Sequence, residues 1–200
     1  MIQRDPARTA LVVFDMLEAY RGRLEEAGTI KPAQRLIAGC RDLGVVIAYA
    51  RADHRGDGSD FAQTQTDVDP YFRPWGPDNP VPTRPPHAGG SPGYMVIEEL
   101  APQPNDYDVP KHRWSAFHGT HLELSLRSRG VDSILLIGGS VHVGIASTAF
   151  EARDKDFQVT VVRDCCHGFL EQREFFMDKV FPRMCHVRTV DEVLREFRAD

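Results

Sequence analysis

The sequence lacks the features of membrane-spanning, secreted and nucleic-acid-binding proteins. None of its apolar runs approaches the roughly 20 residues that a membrane-spanning helix needs. The N-terminal residues MIQRDP are not followed by the apolar h-region of a signal peptide, so we expect no secretory signal. The chain carries 24 Lys and Arg residues against 29 Asp and Glu, a net charge of −5 at pH 7. This balance argues against a basic surface, and we expect no nucleic-acid or membrane partner.

Cysteine is scarce, and its spacing is not that of a zinc site or a disulfide framework. The sequence has 4 cysteines, and none of them forms a Cys-x-x-Cys pair: Cys40, Cys165, Cys166 and Cys185. Disulfide-rich secreted domains and zinc knuckles use closer and more regular spacings. We therefore expect reduced thiols, a cytoplasmic location and no bound metal.

The composition is typical of one folded domain. A chain of 200 residues can form one sizeable hydrophobic core and is short for two ordinary domains. Hydrophobic residues make up 42% and charged residues 26%, as in globular rather than disordered proteins. The sequence shows no internal repeat, so we interpret residues 1–200 as one domain.

Strand-like and helix-like segments alternate along the chain, which predicts an α/β fold with a mainly parallel sheet. The run TALVVF at residues 9–14 is apolar throughout, as in a strand that is buried on both faces. We predict six strands, at residues 9–14, 45–50, 107–110, 133–137, 157–163 and 186–189. We predict helices at residues 31–43, 96–100, 117–129, 143–155, 173–180 and 190–198.

Residues 52–93 interrupt this alternation. Eight of the 14 prolines fall between Pro70 and Pro92, close to several glycines. Because proline cannot join a central strand ladder, this segment is predicted to be a long loop or arm. Loops of this length in compact domains commonly serve as lids or partner-binding arms. The alternative is an insertion that only covers the core.

Polar or glycine-rich segments follow three of the predicted strands. Asp15 follows the first strand, Lys111 follows the strand at 107–110, and the turn GGSVHVG occupies residues 138–144. In open parallel sheets, ligands bind outside the carboxyl ends of the strands. These segments are therefore the candidate functional site.

Asp15 and Lys111 are candidates for acid–base chemistry. A carboxyl group at the mouth of a buried strand is partly desolvated, which favours its neutral form, and a nearby lysine has the opposite effect. Such a pair can hold a carboxyl group ready to exchange a proton near neutral pH. The alternatives are structural: Asp15 caps a helix or forms an ion pair, and Lys111 is an exposed surface residue.

The neighbouring segments supply candidate substrate-binding residues. Glycines in the turn allow close approach, and backbone N–H groups at the start of a helix can hold an anion or a developing oxyanion. Ser140, Val141 and Val143 are the candidate contacts in this turn. Trp114 and Phe117 lie near a strand-to-helix turn, where they line a pocket or belong to the core.

Three segments together resemble the isochorismatase-like hydrolase family, also called cysteine hydrolases. They are FDM at 14–16, KHRWSAF at 111–117 and GGSVHVGIASTAFEARDKDFQVTVVRD at 138–164. The resemblance extends over nearly the whole chain. It implies a three-layer α/β/α, Rossmann-like fold with a six-stranded parallel sheet, a cofactor-independent hydrolase activity, and a homodimer or higher homo-oligomer.

Most members of this family carry an Asp-Lys-Cys triad. The resemblance places the aspartate at Asp15 and the lysine at Lys111, but the cysteine position holds Gly144. True isochorismatases are similar in this respect, since they also have glycine there. The sequence departs from them at Leu17, where glutamine is common, and at Ser140, where they have tyrosine.

These features indicate a hydrolase of a small, carboxylate-bearing substrate. Without the thiol, the expected reaction is hydrolysis of a vinyl ether, in which Asp15 protonates the enol carbon and water captures the resulting cation. Lys111 would pair with substrate carboxylates and tune Asp15. One alternative is hydrolysis of a C–N bond by activated water or by Cys165 or Cys166, with His167 as the base. Another is a non-catalytic protein that binds a small molecule or a partner.

A metal site is not expected from the acidic loop after the second strand. Nicotinamidase-type relatives bind zinc through an Asp-x-His pattern there. In this sequence Asp53 and His54 are adjacent, so the spacing does not match. With Asp57 and Asp60 they are interpreted as a solvated acidic loop.

Overall fold

The structure is a computed structural model that describes residues 3–62 and 91–198. Most of the predicted Pro- and Gly-rich arm at 52–93 lies outside the described residues. The described part of the chain contains a sheet with helices on both faces. No helix in that part is both long enough and apolar enough to cross a membrane.

The sheet confirms the predicted α/β fold. It has 6 strands in the order β3-β2-β1-β4-β5-β6. Every pair of neighbouring strands is parallel. The strands are β1 (Thr9–Phe14), β2 (Val46–Ala52), β3 (Tyr107–Lys111), β4 (Ser133–Gly139), β5 (Gln158–His167) and β6 (His186–Arg188). All residues of β1 and β4 are buried, which explains their continuous apolar sequences.

Helices cover both faces of the sheet. They are α1 (Arg21–Glu26), α2 (Ile30–Asp42), α3 (Leu122–Arg127), α4 (Ala146–Asp154), α5 (Leu170–Phe175) and α6 (Val190–Glu196). Side chains of α1, α2 and α6 pack with Leu11 and Val13 on one face. Side chains of α3 and α4 pack with Val12 and Phe14 on the other face. The result is the predicted three-layer α/β/α arrangement.

Two predicted helices are shorter in the structure. The helix predicted at 96–100 is a single 3₁₀ turn at Glu98–Leu100. Ala101 leaves helical geometry, as expected for a residue before proline. The helix predicted at 117–129 is reduced to α3, because Gly119 has a φ of 67° and breaks the helix.

Other element boundaries were also misplaced. Strand β5 continues four residues beyond the predicted end at 163 and reaches His167. A π-helical turn at Val141–Ile145 precedes α4, where one continuous helix over 143–155 was predicted. The helix predicted at 173–180 begins earlier, as α5, and continues as a second π-helical turn at Phe176–Val180. Helix α1 was not predicted, since it is short and mostly polar.

The strand register positions the candidate site. Phe14 pairs with Gly138 on one side and with Ala50 on the other, and Ala52 pairs with Lys111. Asp15 therefore leaves β1 between the ends of β2 and β4, with the end of β3 one strand further away.

Candidate active site

Asp15 turns away from the strand that precedes it. Its φ is 47°, a left-handed conformation that aspartate tolerates better than most residues. Its backbone N–H donates to the carbonyl of Ala50 at 2.9 Å. Its Oδ1 accepts a hydrogen bond from the backbone N–H of Ala52 at 2.6 Å. The backbone at the end of β2 thus holds the carboxylate, whose residue is only 7% exposed.

Lys111 reaches Asp15 from the end of β3. Its Nζ lies 2.7 Å from Oδ2 of Asp15, and the residue is 4% exposed. The ammonium group also lies 4.2 Å from the centre of the Phe14 ring, a cation–π contact. The two predicted residues therefore meet in one buried ion pair. The alternative of an exposed lysine is wrong.

The turn after β4 approaches this pair closely. Gly138 has a φ of 114°, and a Cβ there would lie 1.9 Å from the carbonyl oxygen of Phe14. Only glycine allows β4 to pass β1 at this point. The carbonyl of Ser140 accepts hydrogen bonds from the N–H groups of Val143 and Ile145, both at 3.2 Å. The amide of Val143, a predicted substrate contact, is therefore already engaged within the turn.

Gly144 contacts the ring of Phe14. A Cβ at position 144 would lie 2.2 Å from Cε1 and 2.4 Å from Cζ of that ring. Phe14 is 2% exposed, so its ring has little room to move. The ring thus fills the space that a side chain at 144 would need.

The other predicted contacts lie in different environments. Trp114 is 50% exposed, whereas Phe117 and Val141 are buried in the core. The ring of Phe117 packs against Phe157, with centroids 5.4 Å apart. Phe117 therefore occupies the position expected from the alternative in which it is a core residue. Val141, predicted as a substrate contact, is also a core residue.

The adjacent cysteines are poorly suited to nucleophilic attack. Cys165 and Cys166 are both 0% exposed and lie on opposite faces of the sheet. Burial raises the pKa of each thiol well above its ordinary value, which disfavours the reactive thiolate. The structure therefore gives no support to a replacement nucleophile at either position.

His167 lies at the site because β5 is longer than predicted. It pairs with Gly139, and the preceding residue Gly138 pairs with Phe14. His167 therefore lies at the same level of the sheet as Asp15. From the sequence, His167 was predicted only as a base for a cysteine, since the predicted strand before it ended four residues earlier. The signal for a longer strand was weak, because the polar residues Arg163 and Asp164 interrupt the apolar run.

The loop after β2 forms a separate polar cluster. Nδ1 of His54 and Nδ1 of His112 lie 3.3 and 3.4 Å from the carboxylate oxygens of Asp60. Ligand-type atoms of these residues lie within 4.8 Å of one another. Sequence spacing could not reveal this cluster, because His112 comes from the end of β3. A cavity of about 470 Å³ lies here, lined by Asp53, His54, Arg55, Gly56, Asp57, Asp60 and His112.

Comparisons with known proteins identify the family of this chain. Residues 9–192 match the isochorismatase domain family. An uncharacterised isochorismatase family protein, YwoC of Bacillus subtilis, is 31% identical over 97% of this chain and 96% of its own length. The phenazine biosynthesis protein PhzD1 of Pseudomonas aeruginosa is 32% identical over 95% of this chain and 86% of its own.

A solved structure shows the same fold. A cysteine hydrolase from Pseudomonas syringae pv. phaseolicola superposes with a TM-score of 0.83 and 28% identity, covering 99% of this chain and 96% of its own. The six-stranded parallel sheet and the match over residues 9–192 lead to one assignment. The chain belongs to the isochorismatase family of hydrolases.

Proposed function

We propose that this protein hydrolyses a small, carboxylate-bearing vinyl ether by acid catalysis, without a cysteine nucleophile. The observation that carries the proposal is the contact between Gly144 and Phe14. Position 144 has no nucleophilic side chain, and the Phe14 ring occupies the space that a side chain would need. The buried pair of Asp15 and Lys111 is left as the chemically competent part of the site.

The proposed reaction begins with a proton transfer from the Asp15 carboxyl group to the terminal enol carbon. A cation forms at the ether carbon and is stabilised by the ether oxygen. Water adds to this carbon and loses a proton, and the resulting hemiketal breaks into a ketone and an alcohol. No covalent enzyme adduct is needed, whereas amide cleavage requires a strong nucleophile or a well-activated water.

Lys111 supports this chemistry in two ways. Its ammonium group lies 2.7 Å from the Asp15 carboxylate, so it can position the acid and stabilise the carboxylate that forms after proton transfer. It also supplies a positive charge for a substrate carboxylate. An ammonium has 3 N–H donors. Within the described residues, one hydrogen bond from Lys111 is found, to Asp15, which leaves donor capacity for a substrate.

The electrostatic surroundings favour an anionic substrate. Arg23 and Arg173 both act electrostatically on His167, beside the pair. The guanidinium of Arg23 lies 6.0 Å from the rings of Tyr20 and Phe169, and no carboxylate partner for it is found in residues 3–62 and 91–198. Arg173 is already paired with Glu174 and also donates to backbone carbonyls. Arg23 is therefore the cation that would attract a carboxylate toward the site.

The direct test is an assay of purified protein with isochorismate, a vinyl ether of this class, coupled to detection of released pyruvate. We expect pyruvate release by the wild-type protein and its loss in Asp15→Asn, which keeps the side-chain volume but cannot donate an acidic proton. Near-normal turnover by Asp15→Asn would contradict the role of Asp15. Release of ammonia from amide substrates, without pyruvate from vinyl ethers, would support C–N hydrolysis instead.

A further inference from the structure

His167 is placed beside the ion pair by the sheet itself. It ends β5 and pairs with Gly139 of β4, while Phe14 of β1 pairs with Gly138. Asp15, the residue after β1, and His167, the last residue of β5, therefore flank Gly139 at the same level of the sheet. Neighbouring strands lie about 4.8 Å apart, so two side chains can meet over the strand between them if that strand has none of its own.

Gly139 provides that space. A Cβ at position 139 would lie 2.6 Å from Nε2 and 2.7 Å from Cδ2 of His167. The edge of the imidazole ring thus packs against Gly139, in the space that a side chain there would occupy. Any larger residue at 139 would displace the ring.

The ring is buried, and within the described part of the chain it has no hydrogen-bond partner. His167 is 2% exposed, and neither Nδ1 nor Nε2 has a partner there. Leaving a buried polar atom unpaired costs about 1–3 kcal/mol, so buried polar groups without a protein partner call for an explanation. At the edge of an active site, a reactant or a water molecule explains it.

The surroundings favour the neutral imidazole. Burial lowers the pKa of His167 to about 4, Asp15 acts in the opposite direction, and Arg23 and Arg173 lower it further. A neutral imidazole has one N–H donor and one nitrogen lone pair. It can therefore accept a proton from a water molecule while Asp15 is the proton donor.

We propose that His167 is a further catalytic residue, whose imidazole faces the reacting carbon from β5 and accepts a proton from the water that adds to it. This inference rests on the proposed function. After Asp15 has protonated the enol carbon, the water oxygen bonds to the cationic carbon and its proton passes to the imidazole. The imidazolium returns this proton to the Asp15 carboxylate. The hemiketal hydroxyl proton passes to the leaving oxygen, so the net reaction consumes one water.

The first test is kinetic. His167→Phe keeps a planar ring of similar size but has no proton acceptor, and His167→Gln keeps polar atoms that can hold a water. We expect kcat on isochorismate to fall about 100-fold or more in His167→Phe, as is typical for loss of a general base. The fall should be smaller in His167→Gln, and KM should change less than kcat in both. His186→Phe, at the exposed start of β6, is the matched control, and its kcat and KM should equal those of the wild-type protein.

The second test does not depend on turnover or on the folding of His167→Phe. Wild-type protein labelled with ¹⁵N in its histidines is titrated with pyruvate, and the ring signals of His167 are assigned from their absence in His167→Gln. We expect pyruvate to shift the ring nitrogen signals of His167 and to leave those of His186 unchanged.

The outcomes separate this inference from the proposed function. If the wild-type protein releases pyruvate from isochorismate while His167→Phe keeps its kcat within twofold, the role of His167 is overturned and the proposed function stands. If the wild-type protein releases no pyruvate, the proposed function fails, and only the pyruvate titration then tests whether His167 lies in the ligand site. A shift of the ring nitrogen signals then shows that His167 contacts the ligand. The absence of a shift overturns any role of His167 in the site.

Discussion

The two ends of the sheet each contain a buried ion pair, but the two pairs differ in how completely they are bonded. At the amino end, Arg4 donates to Glu196 at 2.7 Å and also to Ser133 and Thr160. Glu196 accepts a further bond from Arg188 at 2.7 Å. At the carboxyl end, the ammonium group of Lys111 makes one hydrogen bond within the described residues, and both ring nitrogens of the neighbouring His167 are unpartnered there.

Under the proposed function, this difference separates a structural pair from a reactive one. A buried charge pair stabilises a fold only when further hydrogen bonds compensate for the loss of water, as they do around Arg4. The pair at Asp15 keeps unused donors and acceptors, which a substrate or water can engage. We infer from the bonding that the same class of interaction serves a structural purpose at Arg4 and a chemical one at Asp15.

The largest expected effect comes from neutralising one carboxylate in each pair. Asp15→Asn should reduce kcat by about 10²–10⁴-fold, because the proton donor is lost. Glu196→Gln should leave kcat nearly unchanged but should lower the free energy of unfolding by about 3–5 kcal/mol, since the Arg4 charge remains buried without its partner. Urea unfolding and steady-state kinetics on both variants measure this contrast. A normal kcat in Asp15→Asn with a large loss of stability would make both pairs structural.

A second prediction concerns acid stability at the carboxyl end. The pKa of His167 is lowered from 6.5 to about 4 in the folded protein. The unfolded chain therefore binds more protons between these values, so the contribution of His167 is fully present above pH 6.5 and is lost as the pH falls toward 4. The loss is on the order of 3 kcal/mol.

Urea unfolding of wild type and His167→Gln between pH 7 and pH 4 measures this effect. We expect the stability of His167→Gln to fall less steeply over this range, because glutamine does not titrate. Parallel curves for the two proteins would mean that the His167 ring is not held in its neutral form.

The third prediction concerns the contact between Gly144 and Phe14. Gly144→Ala should destabilise the protein by about 1–3 kcal/mol, because its Cβ overlaps the Phe14 ring. Phe14→Leu should remove much of this penalty when combined with Gly144→Ala, so the double-mutant cycle should show coupling above about 0.5 kcal/mol. Gly22→Ala in α1 is the matched control, since a Cβ there meets nothing within 4 Å. Additive changes in the free energy of unfolding would show that the Phe14 ring moves aside at little cost.

The smallest expected effect is the response to thiol alkylation. Cys165 and Cys166 are buried and their pKa values are raised, so iodoacetamide should leave the activity of the folded protein unchanged. Activity measured before and after treatment tests this. Rapid inactivation, prevented by Cys166→Ala, would restore the thiol mechanism and would make the Asp15 pair an auxiliary group.

The fold and the central pair were accessible from the sequence because they depend on local pattern. The apolar run at 9–14 is continuous because β1 is buried on both faces, and its end marks Asp15 as a residue at the mouth of the sheet. Lys111 could be inferred in the same way, from the end of the strand before it. The start of α3 and the end of β5 were less predictable. The positive φ of Gly119 breaks the predicted helix before α3, and the polar residues 163–164 interrupt the apolar run of β5.

What the amino-acid order alone established was an α/β chain with a carboxylate, a lysine and a glycine-rich turn at the ends of its strands. Tertiary structure was needed to show that the Phe14 ring fills the space beside Gly144, that His167 lies across Gly139, and that His54 and His112 meet at Asp60. The physical reason is distance along the chain. Periodicity reports which residues are buried together in one element, whereas these contacts join separate strands and loops, and only the sheet register brings them together.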